Sequence, residues 1–190
     1  MKRRAFQLIA LVLLAFGTWQ LSEAAWIHAK ARVAQALIAH SWAQSREGAA
    51  TRRPWPNADM RPIARLTVPS LAVDLYVLDV ASGRALAYGP GHVSGTARPG
   101  GAGNSVIVAH RDTHFSFLRA VSLGEEILVE SDAAKPARYR VREITVVDKG
   151  ETRLLDPADA AQLTLITCFP FDAVQPGTPL RYVVIAERVA

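Results

Sequence analysis

Three residues of this 190-residue sequence have side chains that could together carry out an acyl transfer. Cys168 follows the predicted strand 163–167, His110 follows the nearly continuous apolar run 105–109, and Arg181 lies within the last predicted strand. An ionised thiol is a good nucleophile, and a nearby imidazole can act as acid or base on the thiol and on a leaving amine. A guanidinium can donate hydrogen bonds to the oxyanion of a tetrahedral intermediate. The residue types therefore fit nucleophilic catalysis by a cysteine.

Each of these residues also has a simpler interpretation. A single cysteine at a strand end is often a small buried hydrophobe, and a lone histidine is more often structural than catalytic. Arg181 is harder to explain, because an inward guanidinium in an apolar strand is costly without an anionic partner or a developing charge. It could still point outward and pair with a carboxylate. The residues alone leave both interpretations open.

Alternation of apolar and polar residues predicts an all-β domain made of short strands. The predicted strands lie at 64–68, 71–77, 105–109, 126–129, 139–146, 163–167 and 180–186. The apolar phase switches near Arg142 and Glu143, which predicts a bulge or a bend. Short helices are predicted at 113–120 and after Asp156, an N-cap residue followed by a proline. Seven or so strands at this spacing favour a closed barrel or a sandwich.

Charge and cysteine content exclude several classes of function. The formal charge of the chain is +5. Residues 1–53 carry +6 of it, and from Pro54 onward 14 basic and 15 acidic side chains give −1. A nearly neutral domain without a basic stripe is a poor binder of nucleic acid. One cysteine allows no intramolecular disulfide. No phosphate-binding glycine loop and no His/Cys metal spacing is present, so we predict no cofactor and no metal.

The amino-terminal region predicts a membrane anchor. Residues 5–21 carry no charge and follow Lys2, Arg3 and Arg4. As a helix this stretch spans roughly 25 Å, slightly short of a ~30 Å hydrocarbon core. The basic cluster favours a cytoplasmic amino terminus and an exported remainder. A signal peptide cleaved near 22–24 is the alternative, which we disfavour because the apolar stretch exceeds the usual ~7–15 residues.

Three segments follow from these patterns. Residues 1–22 form the predicted basic tip and transmembrane signal-anchor. Residues 23–57 form a juxtamembrane helix and a linker, because apolar residues recur at helical spacing over 23–45 and Gly48, Pro54 and Pro56 then interrupt it. Residues 58–190 form the predicted catalytic domain.

The three candidate residues lie in segments that resemble the catalytic segments of the sortases. Residues 164–168, TLITC, resemble the sortase TLxTC signature, and 109–115, AHRDTHF, resemble the segment around the sortase histidine. Residues 180–184, LRYVV, match the strand that carries the sortase arginine, and the three segments occur in the family's order. Trp55-Pro56 and the runs HRDTHFSFL and TCFPFD look most like the Gram-negative, proteobacterial-type sortases (class GN). The resemblance covers roughly residues 62–190.

The resemblance implies a fold, a reaction and a location. The fold is a closed eight-stranded sortase-type β-barrel, and the location is the inner membrane with the catalytic domain in the periplasm. The substrate is a secreted or membrane protein with an LPxTG-like sorting signal near its carboxyl terminus. Cys168 is then the nucleophile that holds the acyl group as a thioester, His110 the acid and base, and Arg181 the group that stabilises the oxyanion or the substrate. An amine of unknown identity resolves the thioester.

Three further residues are candidates for binding or orienting the substrate. Thr167 precedes the nucleophile, and His114 lies close to His110 in sequence. Asp112 either orients an imidazole or pairs with Arg111, and we favour the pairing. His92 is interpreted as structural.

Other functions compete with transpeptidation. In a thiol hydrolase, water rather than an amine would release the acyl group. A non-catalytic anchored β-barrel that binds a partner would leave Cys168 unreactive toward substrate-like electrophiles. The L,D-transpeptidase type is disfavoured, because no Ser-His-Gly-Cys arrangement surrounds Cys168.

Overall fold

The computed structural model describes residues 2–46, 52–131 and 136–189, and it divides the chain into two compact units, Met1–Ala36 and Leu37–Ala190. The first unit is helical. Its helix α1, Lys2–Arg46, runs without interruption through the predicted boundary at residue 22. In the described part of the chain, no helix combines the length and apolarity needed to cross a membrane. The predicted anchor is therefore not confirmed, and residues 1, 47–51, 132–135 and 190 of the predicted segments lie outside the described residues.

The second unit contains a closed β-barrel, as predicted. Within the described ranges its strands are β1 Pro62–Val68, β2 Val73–Leu78, β3 Gly91–His92, β4 Asn104–Val108, β5 Glu126–Glu130, β6 Ala137–Asp148, β7 Gln162–Phe169 and β8 Leu180–Val189. They close in the order β1-β2-β3-β4-β7-β8-β6-β5. Two neighbouring pairs, β2–β3 and β4–β7, are parallel, and the other hydrogen-bonded pairs are antiparallel.

Alternate side chains along the strands point into the barrel and form its core. In β1, Ala64, Leu66 and Val68 are fully buried while the residues between them are partly exposed. On β4, β7 and β8 the outer phase is also apolar, because Val106, Ile166 and Val183 form a second cluster outside the barrel wall. Strands covered on both faces often appear in the sequence as nearly continuous apolar runs, which is the pattern of residues 105–109 in and after β4.

The structure confirms one local prediction, a bulge, and contradicts another, a short helix. The pairing of β6 with β8 shifts register between Val141 and Glu143, which confirms the predicted bulge. The predicted helix beginning at Asp156 is wrong. A 3₁₀ helix, Thr152–Leu155, comes before it, and the Glu151 carboxylate caps that helix by accepting from the Arg153 N–H. Asp156 itself has extended backbone angles at the end of this helix.

The end of α1 belongs to the second unit and packs there. Ile38 is fully buried in a cluster with Met60, Leu78 and Ala85. The Ser41 hydroxyl donates to the Arg52 carbonyl at 2.6 Å. The last turns of the predicted juxtamembrane helix therefore use their apolar side chains to pack against the second unit to which they belong.

Candidate active site

Cys168 and Arg181 are brought together by the pairing of β7 with β8. They are direct partners in this antiparallel pair, in register with Ile166 opposite Val183. Directly opposed residues project to the same face of a sheet with Cβ atoms about 4.5–5.5 Å apart. Because Ile166 and Val183 lie in the cluster outside the barrel wall, Cys168 and Arg181 also face outward. The Cys168 thiol is free and partly buried.

His110 reaches the same place through the parallel pairing of β4 with β7. Val108 is the partner of Ile166, and the Ala109 N–H continues the ladder by donating to the Ile166 carbonyl at 3.3 Å. Continuing this register by two residues brings His110 level with Cys168. His110 is exposed, as an acid or base that must meet a substrate has to be. Cys168 is therefore flanked by His110 on one side and by Arg181 on the other.

Thr167 ties the strand end that precedes His110 to the strand that carries Cys168. Its side chain points into the barrel, is 2% exposed, and donates from Oγ1 to the Ala109 carbonyl at 2.8 Å. The contact fixes the ends of β4 and β7 relative to each other. Thr167 thus holds the two strand ends together from the inner face of the sheet, whereas Cys168 lies on the outer face.

Arg181 is held by backbone carbonyls. One terminal nitrogen donates to the carbonyl of Thr178 at 2.7 Å and to that of Leu180 at 2.8 Å. In the described residues its other N–H groups have no hydrogen-bond partner and no carboxylate lies within 4.0 Å. A guanidinium held in this way keeps donors available for a developing negative charge.

Arg111 does not pair with Asp112, contrary to the favoured interpretation of the sequence. The Arg111 side chain is buried and donates to the carbonyls of Ala173 and Gln175 and to the Thr178 hydroxyl. Asp112 is exposed, and among the described residues it forms no ion pair with either imidazole nearby. The guanidinium takes distant acceptors because the chain after β7 folds back over it.

Residues 66–189 match the Sortase domain family. The chain belongs to the sortase family. Members of this family are known as cysteine transpeptidases, and the candidate residues Cys168, His110 and Arg181 lie within the matched region. The predicted family and the predicted eight-stranded barrel are both confirmed at this level.

Known sortases share both sequence and architecture with this one. Sortase D of Bacillus subtilis (strain 168) is 26% identical over 125 residues, which are 65% of this chain and 62% of that protein. This sortase thus spans less than two thirds of the length of that relative. Sortase A from Corynebacterium diphtheriae has a TM-score of 0.63 and 30% identity, over 70% of this chain and 63% of its own. Sortase C-1 from Actinomyces oris has a TM-score of 0.60 and 32% identity, over 68% and 75% of the two chains.

His114 lines a cleft of this sortase. The cleft has a volume of about 440 Å³ and lies between the start of β2 and the segment after His110. Its walls are formed by Ala72, Val73, Asp74, Leu75, Thr113, His114, Ser116 and Phe117. Burial lowers the pKa of His114, and the nearby His110 lowers it further. Of the two imidazoles, His114 is the partly buried one, and its burial favours the neutral state, while His110 is exposed.

Two features of the site were not identified in the sequence. An aromatic cluster follows Cys168, in which Phe171 and Tyr182 have ring centroids 5.1 Å apart and Phe169 stacks on Tyr182 at 6.0 Å. The Arg119 guanidinium lies 5.2 Å from the centroid of Phe171. The second feature is the set of Arg111 contacts. The TCFPFD run was the available signal for the aromatic cluster.

His92 has the structural role that was predicted for it. It is buried, and its Nε2 lies 2.9 Å from the Ala97 carbonyl and 3.1 Å from the Thr96 hydroxyl. These contacts hold the connection between β3 and β4.

Proposed function

We propose that this sortase is a cysteine transpeptidase that cleaves an LPxTG-like sorting signal and transfers the acyl group to an amine. One observation carries the proposal. The support is the strand register: Cys168 is paired with Arg181, which has no carboxylate partner in the described residues, and the β4–β7 register continued by two residues puts the exposed His110 level with Cys168. Those are the nucleophile, the proton carrier and the oxyanion donor that acyl transfer needs.

In the first half-reaction the Cys168 thiolate attacks the scissile carbonyl carbon and forms a carbon–sulfur bond. The carbonyl oxygen becomes an oxyanion, which accepts hydrogen bonds from Arg181. When the tetrahedral intermediate collapses, the carbon–nitrogen bond breaks and His110 gives its proton to the leaving amine. The productive state therefore holds a thiolate and an imidazolium at the same time.

In the second half-reaction an incoming amine attacks the thioester carbonyl. His110, now neutral, accepts the proton that the amine loses, and the carbon–sulfur bond breaks to regenerate the thiolate. Water in place of the amine would give a free carboxylate and make the protein a hydrolase. The acceptor thus decides between the two activities.

The finer assignments rest on the sequence. A class GN identity is supported by the runs HRDTHFSFL and TCFPFD, and the substrate would be a secreted or membrane protein whose carboxyl-terminal signal reaches the site. Residues 1–22 are proposed to anchor the chain in the inner membrane. The support is the basic cluster before an uncharged stretch, which favours a periplasmic catalytic domain.

The function is tested with the full-length chain, LPxTG-like peptides and a primary amine, with the products separated by chromatography. A transpeptidase gives an amide of the amine and the peptide's amino-terminal part, and Cys168→Ala gives no cleavage. Free carboxylate alone, in the presence of the amine, would favour the hydrolase. Cleavage that persists in Cys168→Ala would contradict the mechanism. If no peptide is cut and Cys168 also resists iodoacetamide, the chain is a binding module.

A further inference from the structure

Arg111 is a buried cation next to the proposed proton carrier, and the mechanism does not use it. Arg111 is only 8% exposed. It donates at 2.6 Å to the Ala173 carbonyl, at 2.9 Å to the Gln175 carbonyl and at 3.1 Å to the Thr178 hydroxyl. All three acceptors lie between Cys168 and Arg181, in the connection from β7 to β8.

The charge of Arg111 is compensated by hydrogen bonds rather than by an opposite charge. No carboxylate within the described ranges lies within 4.0 Å of the guanidinium. Burying a guanidinium is costly unless its donors are satisfied, and an apolar residue would fill the same space at lower cost. The planar fork can, however, hold several carbonyl groups in fixed directions, which an apolar side chain or a lysine cannot do.

Thr178 connects Arg111 to Arg181. Its hydroxyl accepts from Arg111, and its backbone carbonyl accepts from Arg181 at 2.7 Å. Because Arg111 is also the residue after His110, a short path of contacts runs from the proton carrier to the oxyanion donor. Neither of these two hydrogen bonds involves Cys168.

We propose that Arg111 is a positioning residue that fixes the connection 170–179, so that His110 and Arg181 keep their places on either side of Cys168. Its effect on acyl transfer rests on the proposed function. Its effect on the connection and on the surroundings of Cys168 does not. The two parts can therefore be measured separately.

The test compares four variants of the full-length chain. Arg111→Lys keeps the positive charge and removes the fork, and Thr178→Val removes only the hydroxyl. Thr178→Ser restores it and serves as the rescue variant. Arg188→Lys is the matched control, because Arg188 also donates to a backbone carbonyl, that of Gly100 at 3.1 Å, but is exposed. Hydrogen exchange of residues 171–179, alkylation of Cys168 by iodoacetamide, kcat, KM and the unfolding midpoint are measured for each.

We expect Arg111→Lys to speed exchange in 171–179 by about tenfold or more, change the alkylation rate, and lower kcat by about 10²-fold with KM nearly unchanged. Thr178→Val should move the same quantities in the same direction but less, and Thr178→Ser and Arg188→Lys should resemble the wild type. A folded Arg111→Lys protein with wild-type exchange and alkylation would overturn the proposal. So would losses that only follow the unfolding midpoint.

The outcome separates this proposal from the proposed function. If the wild type cleaves no peptide, the transpeptidase assignment fails, and exchange and alkylation still decide whether Arg111 positions the connection. If the wild type is active and Arg111→Lys is equally active, the positioning role is overturned while the transpeptidase assignment stands.

Discussion

Two arginines of the barrel wall and the two arginines of the candidate site have different kinds of hydrogen-bond acceptor. On the wall, Arg65 donates to both carboxylate oxygens of Asp74, at 2.7 and 2.6 Å, and Arg138 contacts Glu126 at 2.6 Å. At the site, Arg111 and Arg181 donate to carbonyl and hydroxyl groups. Arg65 and Arg138 are thus paired with carboxylates, whereas the two site arginines have no carboxylate within 4.0 Å in the described residues and leave positive charge next to a thiol.

The difference shows what each region contributes. Exposed ion pairs of the wall kind are worth roughly 0–1 kcal/mol in stability, because water and salt screen them. A guanidinium with no carboxylate partner gains its strongest interaction only when an anion forms beside it, which in this proposal is the transition state. The following predictions test this contrast, from the largest expected effect to the smallest.

The largest effect should come from Arg181→Lys. An ammonium in this position loses the fork that can hold two backbone carbonyls and still donate to the oxyanion, so we expect kcat to fall by about 10²–10³-fold. The same change on the wall, Arg65→Lys, should leave kcat within about twofold, because Arg65 forms only partly exposed ion pairs, with Asp74 and, at 4.0 Å, with Glu130. Steady-state rates of peptide cleavage measure both.

Equal losses in the two lysine variants would contradict the contrast, since the wall arginine would then matter as much as the site arginine. Unfolding midpoints of both variants serve as the control. They show whether either loss of rate reflects a loss of folded protein.

A smaller effect should appear in the pH dependence of stability through His114. Burial and the nearby His110 lower the pKa of His114 in the folded state, whereas the unfolded chain titrates near ~6.5. The unfolded state therefore binds the proton more readily, and stability is lost as pH falls below ~6.5 toward the folded pKa. Thermal unfolding between pH 8 and pH 5 should show a steeper loss in the wild type than in His114→Gln. Parallel curves would show that His114 is not buried in the neutral state.

Asp74→Asn should have a modest effect on stability. The hydrogen bonds from Arg65 lower the pKa of Asp74, so the pair stabilises the fold above ~3.9 and this stability is lost as pH falls through the folded pKa. With side chains 35% and 48% exposed, we expect less than about 1 kcal/mol at pH 7. Urea unfolding at pH 7 and pH 3 checks this. A loss that is as large at pH 3 would mean that packing, not charge, explains it.

Glu151→Gln should have the smallest effect. Arg153 lowers the pKa of Glu151 to about 2, but both side chains lie on the surface, where screening removes most of the stabilisation. We expect an unchanged unfolding midpoint in 0.5 M salt. A clear drop there would show that the cap on the helix Thr152–Leu155 matters more than its exposure suggests.

Periodicity was enough to find most of the barrel. Strands predicted at 163–167 and 180–186 appear as Gln162–Phe169 and Leu180–Val189, and the phase switch located the bulge in β6. The strand Gly91–His92 was missed, because two residues carry no period and its existence depends on pairing with Val108 and Ile107. The closed eight-stranded barrel came from the resemblance to sortases. The strand order was not predicted, since alternation does not specify which strands are neighbours.

At the site, the sequence supplied the residues that motifs mark and missed those that depend on distant contacts. Cys168, His110 and Arg181 lie at positions that the TLITC, AHRDTHF and LRYVV segments identify. The acceptors of Arg111 lie 62 or more residues away in the chain, and local spacing favoured its neighbour Asp112 instead. Such a contact becomes visible only when β7 and its following connection are placed beside β4.

The most direct test of the central claim is mass spectrometry of the intact full-length chain incubated with an LPxTG-like peptide in the absence of amine. The account predicts an adduct of the peptide's acyl part on Cys168 that hydroxylamine removes, as a thioester requires, and that Cys168→Ala lacks. Arg181→Lys should form the same adduct far more slowly. Peptide cleavage without any adduct on Cys168, or an adduct that persists in Cys168→Ala, would contradict the assignment of Cys168 as the nucleophile.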